Sequence, residues 1–293
     1  MPTAILFGSG WKNIGSSYME NLTSIKPVSE VPDQVCTDLE FLFTDIDDTI
    51  TKDGMMPYET LRNMYQLQKS GIKVVLVTGR PAGWCDYFAR MWPVAAVIGE
   101  NGAFYFSYHR SEKSMKRVFL VSEEERKKNR VKLDLLKEKV LAEVPGCRIS
   151  ADQPFRIADL AIDIREDVEP LSDESLDTLC RIITRMGAGY KISSIHVNCW
   201  YGTYDKLSCF NVFLKDYAAK SVEQYQDRIL YVGDSPNDEP MFRGLKNTVA
   251  VANIRAYESI LKSPPLYITT GQSADGFKEL VRTILVKRGN HIK

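Results

Sequence analysis

Residues 41–50 read FLFTDIDDTI, and the order of residue types in this stretch decides how the rest of the chain is read. Phe41, Leu42 and Phe43 make a short apolar run, as a strand buried on both faces does, and the run passes directly into Asp45, Asp47 and Asp48 before Thr49. Three carboxylates within four residues repel one another, and a bound divalent cation relieves such crowding at a strand end. A polar turn whose Asp side chains cap the following loop is the alternative that this stretch alone leaves open.

Working outward, the pattern recurs. Pro57 opens a segment in which Leu61, Met64, Tyr65 and Gln68 share one helical face, and Gly71 stops it. A second apolar run at 72–77 then ends in Thr78, Gly79 and Arg80, so strand, helix and strand imply a right-handed parallel crossover. Residues 84–92 suit a short helix before Pro93, and 94–98 a third buried strand ending in GENGA. Later, a helix from Lys206 through Phe210 and Leu214 leads to RILYVGDSPND (228–238), where a buried strand again ends in acids. NTVAVAN (247–253) supplies a further strand, and Phe277, Leu280, Val281, Ile284 and Leu285 mark a closing amphipathic helix.

Between these halves the rhythm changes. AFYFSYH (103–109) and KRVFLV (116–121) read as adjacent strands, followed by a charged helix over 123–143 whose ERKKNRVK run is a solvated face. RIADLAIDI (156–164), a helix near 174–186 and SIHVNCW (194–200) complete a mixed pattern. The expectation is a doubly wound parallel-sheet α/β core from residues 1–104 and 201–293, with an inserted α+β domain at 105–200 acting as a lid. Within 1–39, FGSG (7–10) is too short for a phosphate loop and reads as a turn.

The 293 residues allow two domains, and 44% hydrophobic with 26% charged residues is an ordinary soluble composition. No apolar run approaches the roughly 18–20 residues that span a bilayer, so no membrane role is expected. Lys plus Arg and Asp plus Glu both number 38, giving no general attraction to nucleic acid. The start, MPTAILFGSGW, lacks the basic leader and long apolar segment of a signal peptide, and a cytoplasmic protein is expected. Six cysteines without a C-x-x-C pair read as reduced, packed thiols.

In a parallel sheet all strands end on one edge, where ligands bind. That edge would gather Asp45 and Asp47, Thr78, and Asp234 and Asp238, with Lys206 arriving on a helix start. Carboxylates, a hydroxyl and an ammonium suit a metal-bound phosphate, because Mg²⁺ takes one or two carboxylates plus phosphate oxygens.

The ordered motifs DIDDT (45–49), VTGR (77–80), Lys206 and GDSPND (233–238) resemble the signatures of the haloacid dehalogenase superfamily of phosphotransferases, whose core is Rossmann-like. The insertion, GENGA and DGFKELV (275–281) look like subfamily IIB, with its Cof-type, sucrose-phosphate and trehalose-phosphate phosphatases and phosphomannomutases. The resemblance implies that Asp45 is the nucleophile, forming an aspartyl phosphate, and that Asp47 is the general acid and base while its backbone carbonyl helps bind Mg²⁺. It implies that Thr78 hydrogen-bonds the phosphoryl group and Lys206 offsets its charge, with Gly79 and Asn237 as further substrate-binding candidates, Asn237 also as an anchor of its loop, and Arg80 either reaching substrate or serving a structural role at a helix start. Asp234 then binds the metal directly, and Asp238 does so through water or steadies the other ligands. Leu207 departs from the glycine often found after the family lysine, which bears on Lys206. Asp48, often glycine in the family, is read as a turn cap. His196 and Asn198 alternate on the insertion's last strand and either bind substrate or are packed within the domain.

The function expected is a Mg²⁺-dependent phosphomonoester hydrolase acting on a small phosphorylated metabolite, a sugar phosphate first among them, as monomer or homodimer. A phosphomannomutase-like transferase and a non-catalytic binding protein on the same fold are the alternatives.

Overall fold

The strand expected ahead of the acidic cluster spans Phe41–Thr44 and is buried along its whole length. In the computed structural model, which describes residues 25–193, 195–218 and 222–289, it lies near the centre of a large sheet; the turn expected at 7–10 falls outside the described residues. In chain order the strands are β1 (Lys26–Pro27), β2 (Phe41–Thr44), β3 (Lys73–Val77), β4 (Ala96–Gly99), β5 (Phe104–His109), β6 (Ser114–Phe119), β7 (Arg148–Ile149), β8 (Leu160–Asp163), β9 (Gly189–Ile192), β10 (His196–Trp200), β11 (Ile229–Gly233), β12 (Thr248–Ala250) and β13 (Tyr267–Ile268).

The large sheet has the order β1-β13-β12-β11-β2-β3-β4-β5-β6. Neighbours from β1 to β4 run parallel, and β4, β5 and β6 pair antiparallel. From β2 the chain steps outward through β3 and β4, then returns to β11 on the other side and steps away again through β12 and β13. The order therefore reverses between β2 and β11, the switch point at which open α/β sheets hold their ligands. Asp45 follows one of these strands and Asp234 the other.

Period-two alternation buries both faces. Phe41, Phe43, Val75, Val77 and Tyr231 pack with Phe210, Phe213, Met241 and Phe242 of the helices Lys206–Ala218 and Glu239–Gly244. Leu42, Val74, Leu76, Leu230 and Val232 pack on the opposite face with the helices Tyr58–Lys69, Ala82–Met91 and Ser273–Lys287. The architecture is the doubly wound α/β one expected.

Two local readings are corrected. On Tyr58–Lys69 the buried stripe runs through Thr60, Met64 and Leu67, while Tyr65 and Gln68 are exposed. Thr60 Oγ1 donates to the Ile50 carbonyl at 3.0 Å, which sets the rotation of the helix. The strands at 104–119 are adjacent as read, but they extend the large sheet, because β4 offers a free ladder edge and burial for Phe104 and Phe106.

The smaller sheet is antiparallel, in the order β7-β8-β10-β9. Leu160, Ile162, Val197 and Cys199 on one face pack against Leu133, Leu136 and Val140 of helix Glu123–Glu143 and against Leu179, Ile182 and Ile183 of helix Asp173–Arg185. Side chains of Ser122 and Ser172 cap the two helices by accepting from Glu125 N and Ser175 N. The basic run is only partly a solvated face. Lys127 and Lys128 pair with Glu123 and Glu124 in solvent, but Arg126, Asn129 and Arg130 donate to the carbonyls of Val121, Tyr201 and Ile157 and pin the helix to its neighbours. Among the described residues no helix is long and apolar enough to cross a membrane, and the six cysteines are free.

Gly102, at φ 103°, joins the end of β4 to the start of the Lys206 helix: a Cβ there would stand 2.1 Å from the Asp205 carbonyl oxygen. Gly102→Ala is expected to destabilise the protein by ~2 kcal/mol or more, measured as the shift in urea unfolding. A shift below ~0.5 kcal/mol, the usual span of neutral surface changes, would contradict this packing.

Candidate active site

β2 and β11 are hydrogen-bonded to their ends, Asp45 N donating to the Val232 carbonyl at 3.0 Å, so the acids that follow them meet. Single carboxylate oxygens of Asp45, Asp234 and Asp238 lie within 4.8 Å of one another, and all three residues are buried. Lys206, 2% exposed, enters this cluster from its helix start and donates to Asp45 Oδ2 (2.8 Å), Asn237 Oδ1 (3.1 Å) and Asp238 Oδ1 (2.7 Å). An ammonium has three donors, and all three are met. Burial would otherwise lower the Lys206 pKa, but Asp238 and Asp45 together raise it.

The acids differ in their partners. Asp238 also accepts from Tyr231 Oη, Asp234 N and Ser235 N, so both of its oxygens hold the loop. Burial pushes the Asp45 carboxyl up to about 7, Lys206 opposing and Asp238 reinforcing the rise. Burial, then Asp238, Asp45 and Asp48, raise Asp234 well above the carboxylate range. Among the described residues Asp234 accepts from Thr49 Oγ1 (3.1 Å) and forms no ion pair. Buried oxygen donors with excess negative charge fit a hard divalent cation.

Asp47 is held differently. Arg80 Nε and Nη2 donate to its two carboxylate oxygens at 2.8–3.1 Å, in the two-pronged geometry that guanidinium and carboxylate share. Arg80 also stacks on Trp84, 4.6 Å from the ring centroid, and lies 3.5 Å from Glu166 of the smaller layer.

A cavity of about 50 Å³ is lined by Asp45, Asp47, Asp48, Gly79, Arg80, Asn101, Asp234, Ser235, Asn237 and Tyr257 of the core and by Arg156, Lys191, Ser193, Ile195, His196 and Asn198 of the smaller layer. Thr78, Lys206 and Asp238 are buried and do not line it. Thr78 is fully buried and its hydroxyl oxygen accepts from Arg80 N at 3.0 Å. Asp48, at φ 55°, donates from its backbone N to Thr51 Oγ1, the turn geometry expected. Asn198 lines the cavity while its amide donates to Asp159 Oδ2 at 3.0 Å. His196 Nε2 is 2.9 Å from Glu166 Oε2, but outside hydrogen-bonding geometry. Burial and then Arg156 lower the His196 pKa, with Glu166 opposing.

GENGA (99–103) stood out in the sequence, but not what its residues touch. Glu100, Asn101 and Gly102 all have positive φ and form a tight turn. The turn aims the fully buried Glu100 carboxylate at four backbone N–H groups, of Ala82, Ile157, Ala158 and Asp159, three of them in the smaller layer. Burial and nearby Asp159 push Glu100 up to about 7, while Arg156 and the amides pull back. Arg156 answers from the other side: it is paired with Asp152 and Asp159 and donates to the Gly79 carbonyl at 3.0 Å. Asn101 Nδ2 is buried without a partner.

A model of the haloacid dehalogenase-like hydrolases matches residues 42–128. Among curated proteins none matches the chain. Solved structures share the fold at low identity. Thermoplasma acidophilum 0175 is 18% identical with a TM-score of 0.64, covering 84% of this chain and 98% of its own. A haloacid dehalogenase-like hydrolase from Bacteroides thetaiotaomicron is 17% identical with a TM-score of 0.61, covering 84% and 99%. The sucrose-phosphatase of Synechocystis sp. PCC6803, solved with sucrose and phosphate, is 14% identical with a TM-score of 0.57, covering 84% and 97%.

Glu100→Gln replaces a carboxylate that four N–H groups share by an amide with one acceptor oxygen. The expected loss is ~1–3 kcal/mol from the donors left buried, read from urea unfolding; unchanged stability would mean that the carboxylate does not join the layers.

Proposed function

From the match of residues 42–128 to the haloacid dehalogenase-like hydrolases, we propose that the protein is a Mg²⁺-dependent phosphatase that hydrolyses a small phosphorylated metabolite through an aspartyl phosphate on Asp45. The observation that carries this reading is Lys206 holding Asp45 at the switch point, facing the same cavity as Asp47 and Asp234. Asp45 and Asp234, with the Asp47 carbonyl, would hold Mg²⁺, and Asp238 would keep them in place. When bound, the cation supplies the positive charge that offsets repulsion between a phosphate ester and the carboxylate nucleophile.

The chain's own groups would do the rest. Lys206 fixes one Asp45 oxygen, and Ile46 N donates to the other at 2.7 Å, so the carboxylate is orientated before substrate arrives. Asp47 would protonate the departing alkoxide and then deprotonate the water that attacks the phosphoenzyme. Arg80 would position Asp47, and the Thr78 hydroxyl and Asn101 amide would donate to phosphoryl oxygens.

Residues 123–200 would serve as the cap. The free space of about 50 Å³ is well below the ~300–1,000 Å³ of small-molecule sites, so substrate entry calls for the layers to part. Sugar phosphates are supported as substrates by the likeness to sucrose-phosphatase and to a trehalose-6-phosphate phosphatase related protein.

Phosphate release from nitrophenyl phosphate and a panel of sugar phosphates is expected with Mg²⁺, and not with chelator. Asp45→Asn should lower it at least ~10³-fold. Release from no compound would sink the phosphatase reading. Asp47→Asn should still form a phosphoenzyme from nitrophenyl phosphate, whose leaving group needs no acid, and should hydrolyse it slowly. Intact-mass measurement after acid quench checks this, and absence of the adduct would remove Asp47 from the acid and base role.

A further inference from the structure

The cavity face of the smaller sheet is set by strand alternation. On β10, Val197 and Cys199 point into the packed core, which leaves His196 and Asn198 for the cavity. Lys191 of β9 is the cross-strand partner of Asn198 and lines the cavity beside it.

The cations around this cavity are not alike. Lys206 is saturated by three acceptors, Arg156 is paired with Asp152 and Asp159, and Arg80 with Asp47 and Glu166. Lys191 forms no hydrogen bond or ion pair among the described residues. Burial lowers its pKa, with Glu239 opposing from a distance and Lys206 adding to the fall. Glu239, Asp205 and Asp238 favour its charged form, but none of them is within ion-pair distance, and a partly buried ammonium without a direct partner is costly unless a ligand supplies one. Lys191 lines the cavity from the smaller sheet, whereas Asp45, Asp47 and Asp234 line it from the large one, so the part of the substrate that leaves would lie beside it.

Resting on the phosphatase reading, we infer that the substrate's leaving group carries a second anionic group, a carboxylate or a further phosphate, which Lys191 binds. Lys191 would then be a specificity-determining residue, selecting phosphorylated acids or bisphosphorylated compounds over neutral sugar and polyol phosphates.

Matched pairs test this: glycerol 1-phosphate against 3-phosphoglycerate, and glucose 6-phosphate against 6-phosphogluconate and glucose 1,6-bisphosphate. The anionic member is expected to lead in kcat/KM by ~10–100-fold, the range of one charge-assisted hydrogen bond. Whether the carboxylate or the bisphosphate leads names the group bound. The ratio within each pair should fall to near parity in Lys191→Gln and persist in Lys191→Arg; a folding defect would lower both members and leave the ratio intact. The same ratios are read as dissociation constants by calorimetry on the wild type with chelator, which needs no turnover. Parity in the wild type, or a preference that survives Lys191→Gln, overturns the proposal. Absence of phosphate release even from nitrophenyl phosphate would instead overturn the phosphatase reading, with calorimetry still deciding the role of Lys191.

Discussion

The Lys206 ammonium sits at 2% exposure among Asp45, Asn237 and Asp238, and the site depends on that placement. Removing one partner of such a buried set costs ~3–5 kcal/mol, so each element that supplies a partner is tied to the others. β2 supplies Asp45, the loop after β11 supplies Asn237 and Asp238, and the helix beginning at Lys206 supplies the cation. That helix is seated by Phe210 and Phe213 against Phe41, Phe43 and Tyr105, the Phe43 and Phe210 centroids 4.6 Å apart. The aromatic packing on one face of the sheet therefore holds the charge cluster at its edge in register.

The second constraint is how two layers share one cavity. Their junction is polar and buried: Glu100 accepts from the 157–159 backbone, and Arg156 donates back to Gly79. Directional bonds of this kind specify one approach of the layers where apolar contact alone would allow sliding. The result divides the chemistry. The large sheet contributes Asp45, Asp47 and Asp234 to the cavity wall, and the smaller layer contributes Lys191, His196 and Asn198.

Much of this was legible in FLFTDIDDTI and its later counterpart RILYVGDSPND. Apolar runs that end in acids have few physical explanations, and parallel strands deliver all their ends to one edge. The sheet, its crossovers, the convergence of Asp45, Asp234 and Lys206, and the location of Asp47 followed from local pattern plus that rule. Other features were decided by contacts between residues far apart in sequence. The β5–β6 hairpin has the alternation of any hairpin, and only the open edge of β4 assigns it to the large sheet. The helix Tyr58–Lys69 is amphipathic in more than one frame, and the Thr60 to Ile50 bond selects one. Only the family resemblance separated Asp234 from Asp238 in GDSPND, and the physical reason is tertiary: Asp238 accepts from Lys206, Tyr231 and two backbone amides, while Asp234 lines the cavity. Glu100 sits in GENGA, but nothing along the chain shows that its carboxylate meets the 157–159 backbone or that Arg156 reaches Gly79, because those contacts cross between layers. By itself the sequence determined the sheet and the acidic edge, where the chemistry follows from residue order along single strands. Tertiary structure alone decided which charges are paired within the protein and which, like Lys191, line the cavity without a direct partner, because that depends on what burial brings within a few ångströms.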